Sequence, residues 1–394
     1  MSKMVGSNRF ALFNLGFRPF FLGASIFSII SISLWSLIYL FQISPIIELV
    51  SDSQWHAHEM IYGYGLAVIA GFLLTAIKNW TSIQTVHGKP LMLIFAVWAV
   101  ARLLFLFGTS YLRIAGIFDG LFILMLISFT AYPIFKARQW KQSFILLKLL
   151  LLAIGNVLFY LGALEIVKDG ITLGLYGGLY LIIAIILTIG RRVIPFFIER
   201  GIGYEVKLFN SKWLDFSSML LFLGFFVSEL FLQNPTISAY LALALFFINS
   251  VRLVGWHSKG IWKKSLLWSL YLSFCFICLG FLLFTTTYFF DTSKFLAIHA
   301  FSFGGIGLIT LAMMSRVSLG HSGRDISQPS KSLSYAFCIM LLGFLTRVFI
   351  PLFNIFDYEI LIGISIICWL TAFIIFVVIY FPILTKPRVD GKEG

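Results

Sequence analysis

The chain has 394 residues, of which 60% are apolar and 11% charged, and its net charge is +13. Soluble domains carry about 25% charged residues, so a soluble fold, a disordered chain and a collagen-like repeat are all excluded. The positive residues form no run and sit in short connections between apolar stretches, which excludes nucleic acid as a partner and leaves the lipid bilayer.

The fold class expected is all-α: a polytopic membrane protein of about 12 transmembrane helices, with residues 1–394 forming a single transmembrane domain. The chain starts MSKMVGSNRFALFNLGFRPF. This is not a cleavable signal peptide, because the apolar run after it is too long and has no small-residue cleavage site. In chain order the apolar runs place spans at 18–42, 56–77, 90–108, 112–135, 143–165 and 171–197, then at 213–232, 235–257, 264–288, 293–316, 333–351 and 358–384. Of the 29 Lys and Arg residues, Arg102, Lys148, Arg252 and Arg347 fall inside spans. Only Arg113, Lys168 and Lys294 fall in the connections of one side; the rest, from Lys3 and Arg9 to Lys392, fall on the other. Short loops follow the positive-inside rule, so both termini are expected in the cytoplasm. The 4 cysteines all lie in apolar stretches and imply no disulfide framework.

The sixth and tenth spans share a segment: Tyr176-Gly-Gly-Leu-Tyr-Leu-Ile-Ile matches Phe303-Gly-Gly-Ile-Gly-Leu-Ile-Thr, and Tyr62-Gly-Tyr-Gly in the second span is a looser copy. Leu223-Gly-Phe-Phe in the seventh matches Leu342-Gly-Phe-Leu in the eleventh, and the fourth and twelfth end alike at Tyr132 and Tyr380. Three four-helix units are therefore expected, at 18–135, 143–257 and 264–384. Chance stands beside this reading, because Gly, Phe and Leu are abundant here and Gly is common in membrane helices.

Four residues before each aromatic anchor stand His58, Thr172 and His299. Histidine inside a span is costly and usually functional. Residues four apart share a helix face, so Tyr62 lies below His58 and Phe303 below His299. Gly63 and Gly65, and Gly304, Gly305 and Gly307, allow a macrocycle or another helix to come close to the backbone. Two readings meet this pattern. One is a b-type haem held between the two imidazoles near the outer face; the other is a pair of satisfied interfacial histidines beside helix-packing glycines.

Trp55-His56-Ala57-His58-Glu59-Met60 is denser still. H-x-H on a regular helix sets its imidazoles about 200° apart. If the helix starts later, His56 and His58 become candidate copper ligands with Met60 as a soft partner, and Glu59 can orient an imidazole through its second nitrogen. The alternative is an interfacial belt of Trp and His. Arg102 and Arg347, in corresponding helices, each need an anion. Haem propionates are one choice and the internal carboxylates Asp119 and Glu229 the other, with Asp119 favoured for Arg102.

At the inner face, Gly190-Arg-Arg192 and Arg316 to Arg324 end equivalent helices, where cations complement the helix dipole and meet anionic lipid. Lys148 and Arg252, near inner ends, can reach back to the membrane surface. Cys275-Phe-Ile-Cys278 lies in mid-span and reads as packing, and His87 and His257 as solvated loop groups.

Phe17-Arg-Pro-Phe-Phe21, Trp55-His-Ala-His-Glu-Met60, Gly190-Arg-Arg-Val-Ile-Pro-Phe196 and Met314-Ser-Arg-Val-Ser-Leu-Gly-His-Ser-Gly-Arg324 together resemble the NnrS family, in order and over essentially the whole chain. The resemblance implies a bacterial inner-membrane protein of twelve spans, haem and copper as cofactors, and a link to nitric oxide and nitrosative stress. A weaker architectural likeness is to the catalytic subunit of haem–copper oxidases and nitric oxide reductases. Carried over by position, His58 and His299 become its low-spin haem pair. This chain departs from that subunit by having no histidine in the sixth or seventh span, so the dinuclear route is in doubt and fold alone does not decide function. A haem iron binds nitric oxide only with an axial position open; otherwise it transfers electrons. Whether the chain is an enzyme stays open, as do its protein partners. A secondary transporter or a membrane scaffold assisting a metalloenzyme are the alternatives.

Overall fold

The computed structural model describes residues 10–43 and 48–392; Lys3 and Arg9, counted above for topology, lie outside them. The described residues contain no strand. Twelve helices are long and apolar enough to cross a membrane: α1 (Phe17–Phe41), α2 (Asp52–Thr81), α3 (Lys89–Leu106), α4 (Thr109–Lys136), α5 (Trp140–Ala163), α6 (Gly170–Gly201), α7 (Lys212–Leu232), α8 (Pro235–Gly255), α9 (Ser265–Phe289), α10 (Lys294–His321), α11 (Lys331–Phe353) and α12 (Tyr358–Thr385). Each expected span falls on one of them. Several run past the apolar stretch by a turn, since a helix need not stop where the hydrocarbon does. α10 continues through Arg316 to His321, and α2 begins a turn before Trp55.

The starts of the helices are written in their sequences. Ser51 opens α2 with a capping box: its hydroxyl accepts from Gln54 N at 3.3 Å while Gln54 Oε1 accepts from Ser51 N at 2.8 Å. Asn234 caps α8 through Ile237 N at 3.0 Å, with Pro235 in the first turn.

The chain folds into two compact units. One comprises Met1–Leu175, Met314–Ser330 and Phe373–Gly394; the other comprises Tyr176–Met313 and Lys331–Ala372. The first holds α1 to α5, the start of α6 and the ends of α10 and α12. Its α5 and the first turns of α6 approach backbone to backbone, with Gly155 and Gly162 facing Gly170 and Gly174, the small-residue contact typical of membrane helices. In the second unit, Phe225, Phe281 and Phe284 interlock edge to face, with centroids 4.9–5.9 Å apart. Arg252, expected to reach for the membrane surface, is buried there instead. It donates to Asn249 Oδ1 at 2.9 Å and to Asp215 Oδ1 at 3.0 Å.

Four helices carry a wide π turn: Glu59–Gly65 in α2, Ser228–Leu232 in α7, Ala300–Gly307 in α10 and Leu345–Phe349 in α11. In α2 and α10 the π stretch begins at the residue after His58 and after His299. Single π turns inside α-helices are frequent at functional sites.

Candidate functional site: a buried polar cluster on α2 to α5

Consecutive residues on a helix point about 100° apart, yet His58 and Glu59 turn into one pocket at the junction of α-helical and π-helical backbone. Neither has any exposed surface. Glu59 Oε1 accepts from His58 Nδ1 at 3.0 Å, and the other ring nitrogen, Nε2, lies 2.9 Å from Asn156 Oδ1 on α5. A carboxylate only accepts, so Nδ1 carries the hydrogen. The Asn156 amide accepts or donates according to which way it is turned.

Arg102 of α3 closes the cluster, its guanidinium ion-paired to both Glu59 and Asp119 of α4. Asp119 Oδ2 also accepts from Tyr160 Oη at 2.8 Å and stands 3.7 Å from His58 Nε2. Rings wall the imidazole. Phe159 stacks on it at 4.2 Å between centroids, Phe105 lies at 4.8 Å and Tyr62 at 5.1 Å. Tyr62 Oη donates to Gly174 O at 2.7 Å, which fixes that wall against α6.

The cluster sets two carboxylates against one guanidinium and one imidazole in a region that is almost wholly buried. Buried ionisable groups of this kind are expensive and mark function in membrane proteins. Glu59 Oε2, Asn156 Nδ2 and Arg102 Nε are buried without a hydrogen-bond partner among the described residues. Replacing Asn156 by Leu leaves His58 Nε2 unpartnered as well. We expect a loss of about 1–3 kcal/mol, measured as a lower thermal midpoint in detergent; an unchanged midpoint would show that the amide holds nothing.

The second histidine has different surroundings. In the second unit, His299 is half-buried. Its Nδ1–H donates to Phe295 O at 2.7 Å and its Nε2 accepts from Arg347 Nη2 at 3.0 Å. Arg347 also donates to Tyr358 Oη at 2.6 Å. Glu229, one of the anions considered for Arg347, is paired instead with Lys294, whose ammonium sits 4.6 Å over the Tyr176 ring. Phe303 packs edge-on against Trp369 at 5.1 Å.

The glycines after each histidine are approached by side chains of the protein. A Cβ on Gly63 would lie 2.6 Å from Phe27 and 3.1 Å from Arg102; one on Gly307 would lie 2.6 Å from Trp369. His56 stacks on Trp35 at 4.6 Å and so leaves His58 to face another neighbour, as the H-x-H spacing requires. Among the described residues no three His, Cys, Asp or Glu side chains are grouped to hold a metal ion. Sequence reasoning reached His58, Glu59, Arg102 and Asp119. It missed Asn156 and Tyr160, although an amide in the middle of an apolar span was a signal.

The family profile described as NnrS protein matches residues 11–388, nearly the whole chain. No curated protein matches the chain. A match of that extent shows the family: the chain belongs to the NnrS family.

Proposed function

From that membership we propose that this protein acts in the response to nitric oxide and nitrosative stress, as a bacterial inner-membrane protein with both termini in the cytoplasm. In this reading haem b is its cofactor and copper a second one. The observation that supports a functional role within the spans is the buried His58 cluster, a set of paired charges that packing alone does not require.

The residues support haem unequally. An axial imidazole needs one nitrogen held by a hydrogen bond and the other free to face the metal. His299 meets the first condition through Phe295 O, and its Nε2 accepts from the Arg347 head, a guanidinium of the kind that pairs with a propionate. His299 is therefore the residue that would hold the haem iron. At His58 the chemistry fits, with a carboxylate on Nδ1, but the space does not: Asn156 covers Nε2 and Phe159 covers a ring face. Bound haem iron would supply one-electron transfer, and a site for nitric oxide where an axial position is open. What the chain itself does at His58 is hold a hydrogen-bonded polar pocket away from lipid and set the Nδ1–H of one imidazole on Glu59.

Purified protein in detergent tests this reading. Sharp haem bands in a reduced-minus-oxidised spectrum, lost on His299→Ala, are the expected result. Colourless, metal-free protein overturns the reading. The same spectrum on His58→Ala asks whether the second imidazole is also a ligand, and its loss there would mean that Asn156 moves aside when the group binds.

A further inference from the structure

The first unit gathers a second cluster, of cations, where α1 begins and where α10 and α12 end. It uses Phe17-Arg18 and His321-Ser-Gly-Arg324, two motifs that the reading above leaves without a role. Arg18 is fully buried, and its Nη1 donates to the carbonyls of Ile383, Leu384 and Lys386 at 3.2, 3.0 and 2.8 Å, pinning the end of α12 to the start of α1. Past α12, Arg388 Nη1 donates to His321 O at 3.0 Å and Val389 N to Ser322 O at 3.1 Å. Phe17 lies against the His321 ring at 5.8 Å. Gly323 turns the chain with φ +75, a left-handed conformation that suits glycine, and a Cβ there would meet the Asp390 carboxylate at 2.8 Å. Arg324 follows immediately.

The charges at this spot do not balance. Arg18 is within electrostatic reach of Arg324 and Arg388, and His321 of Arg18, Lys78 and Arg388. Two carboxylates stand nearby in sequence. Asp390 is taken by Arg388, which holds its carboxyl well below the usual carboxylate range, and Asp325 accepts from Ser327 N and Oγ at 2.7 and 2.8 Å. Arg324 Nη1 is buried with no hydrogen-bond partner among the described residues. The side chains of Lys78 and His321 have none among the described residues either. Like charges held together and partly out of water repel each other. An arrangement that keeps a guanidinium fork, an ammonium and an imidazole unpartnered suits an anion with several oxygens. By the charge pattern of the loops the cluster lies on the cytoplasmic side, where anionic headgroups are found.

We propose that this cluster binds a phosphate group, with Arg324 as the forked contact and Lys78 and His321 beside it. Arg18 and Arg388 fix the scaffold and add to the field. The phosphate is carried either by a membrane lipid or by a soluble anion, and the site does not depend on the nitric oxide reading.

The test uses the full chain, purified in detergent and in nanodiscs of phosphatidylcholine. Phosphatidylglycerol is added in one arm and inorganic phosphate in the other, with chloride at equal ionic strength as the control. A ligand bound only by the folded protein raises its thermal midpoint, here by about 3 °C near saturation. A rise with phosphatidylglycerol alone assigns the lipid source, and a rise with inorganic phosphate assigns the soluble one. In both cases Arg324→Gln and Lys78→Gln should cut the rise at least by half. Lys78 is exposed, so its variant should fold even where the arginine variant does not. No rise in the wild type, a rise that chloride reproduces, or an undiminished rise in Lys78→Gln overturns the proposal.

Discussion

Replacing Arg102 by Met should be among the most damaging single changes in the protein. Among the described residues its guanidinium is the only Lys or Arg head paired with Glu59 and Asp119, and both carboxylates are buried at 0% and 1% exposure. Removing one partner from a buried ion pair costs about 3–5 kcal/mol because the other charge is left without compensation. Here two are left. The expected outcome is a much lower thermal midpoint in detergent and a loss of monodisperse protein on size exclusion.

Damage from lost packing and damage from stranded charge are separated by the triple variant. Arg102→Met with Glu59→Gln and Asp119→Asn removes all three formal charges and keeps the shapes. If stranded charge is the cause, most of the lost stability returns, and a thermodynamic cycle shows strong coupling between the three sites. A single variant that melts within about 1 kcal/mol of wild type would mean that the carboxylates find water or protons the structure does not show. A triple variant as unstable as the single one would shift the cause to the stem of Arg102, which lies beside Phe27 and under Gly63.

How much of this was legible beforehand differs by level. The spans follow from the apolar runs, because a helix in lipid must satisfy its own backbone and only length and composition decide it. The Arg102–Asp119 pairing was legible too, since a guanidinium in a span needs an anion and Asp119 stands on the next helix at a similar depth. The same argument offered Glu229 to Arg347, and there it failed. Lys294 pairs with Glu229 instead, and Arg347 donates to an imidazole and a phenol. Charge and depth name a set of partners but not the choice among them.

The two histidines looked alike because each stands four residues before an aromatic anchor and a glycine pair. That pattern is local. What distinguishes them is which helices surround each one: α3, α4 and α5 close over His58 with Phe105, Asp119 and Phe159, while His299 has Arg347 and partial exposure. The π turns also escaped the sequence. Nothing in Glu59-Met-Ile-Tyr-Gly-Tyr-Gly breaks a helical pattern, and a π turn differs from an α turn by a single residue in its hydrogen bonding.

Gly174 carries the other large effect. A Cβ there would lie 2.6 Å from Gly155 O, 2.7 Å from Phe159 Cβ and 2.8 Å from Phe159 N, so two of its neighbours are backbone and cannot swing away. Gly174→Ala should therefore force α5 and α6 apart, at about 1–3 kcal/mol for overpacking, with the upper end expected against rigid backbone. The damage should also travel. Gly174 O accepts the Tyr62 hydroxyl, whose ring lines the His58 pocket, and Phe159 stacks on that imidazole. Moving this segment of α6 loosens two walls of the pocket together. Gly120→Ala on α4 is the matched control, since a Cβ there meets nothing within 4 Å. It should leave the midpoint unchanged or raise it, as Gly to Ala in an open helical position gains about 0.5–1 kcal/mol. Equal midpoints for the two variants would mean that the α5–α6 contact opens at little cost. A Gly174→Ala protein that melts early while Asn156→Leu added to it costs nothing further would show that the helix contact and the His58 pocket fail as one unit.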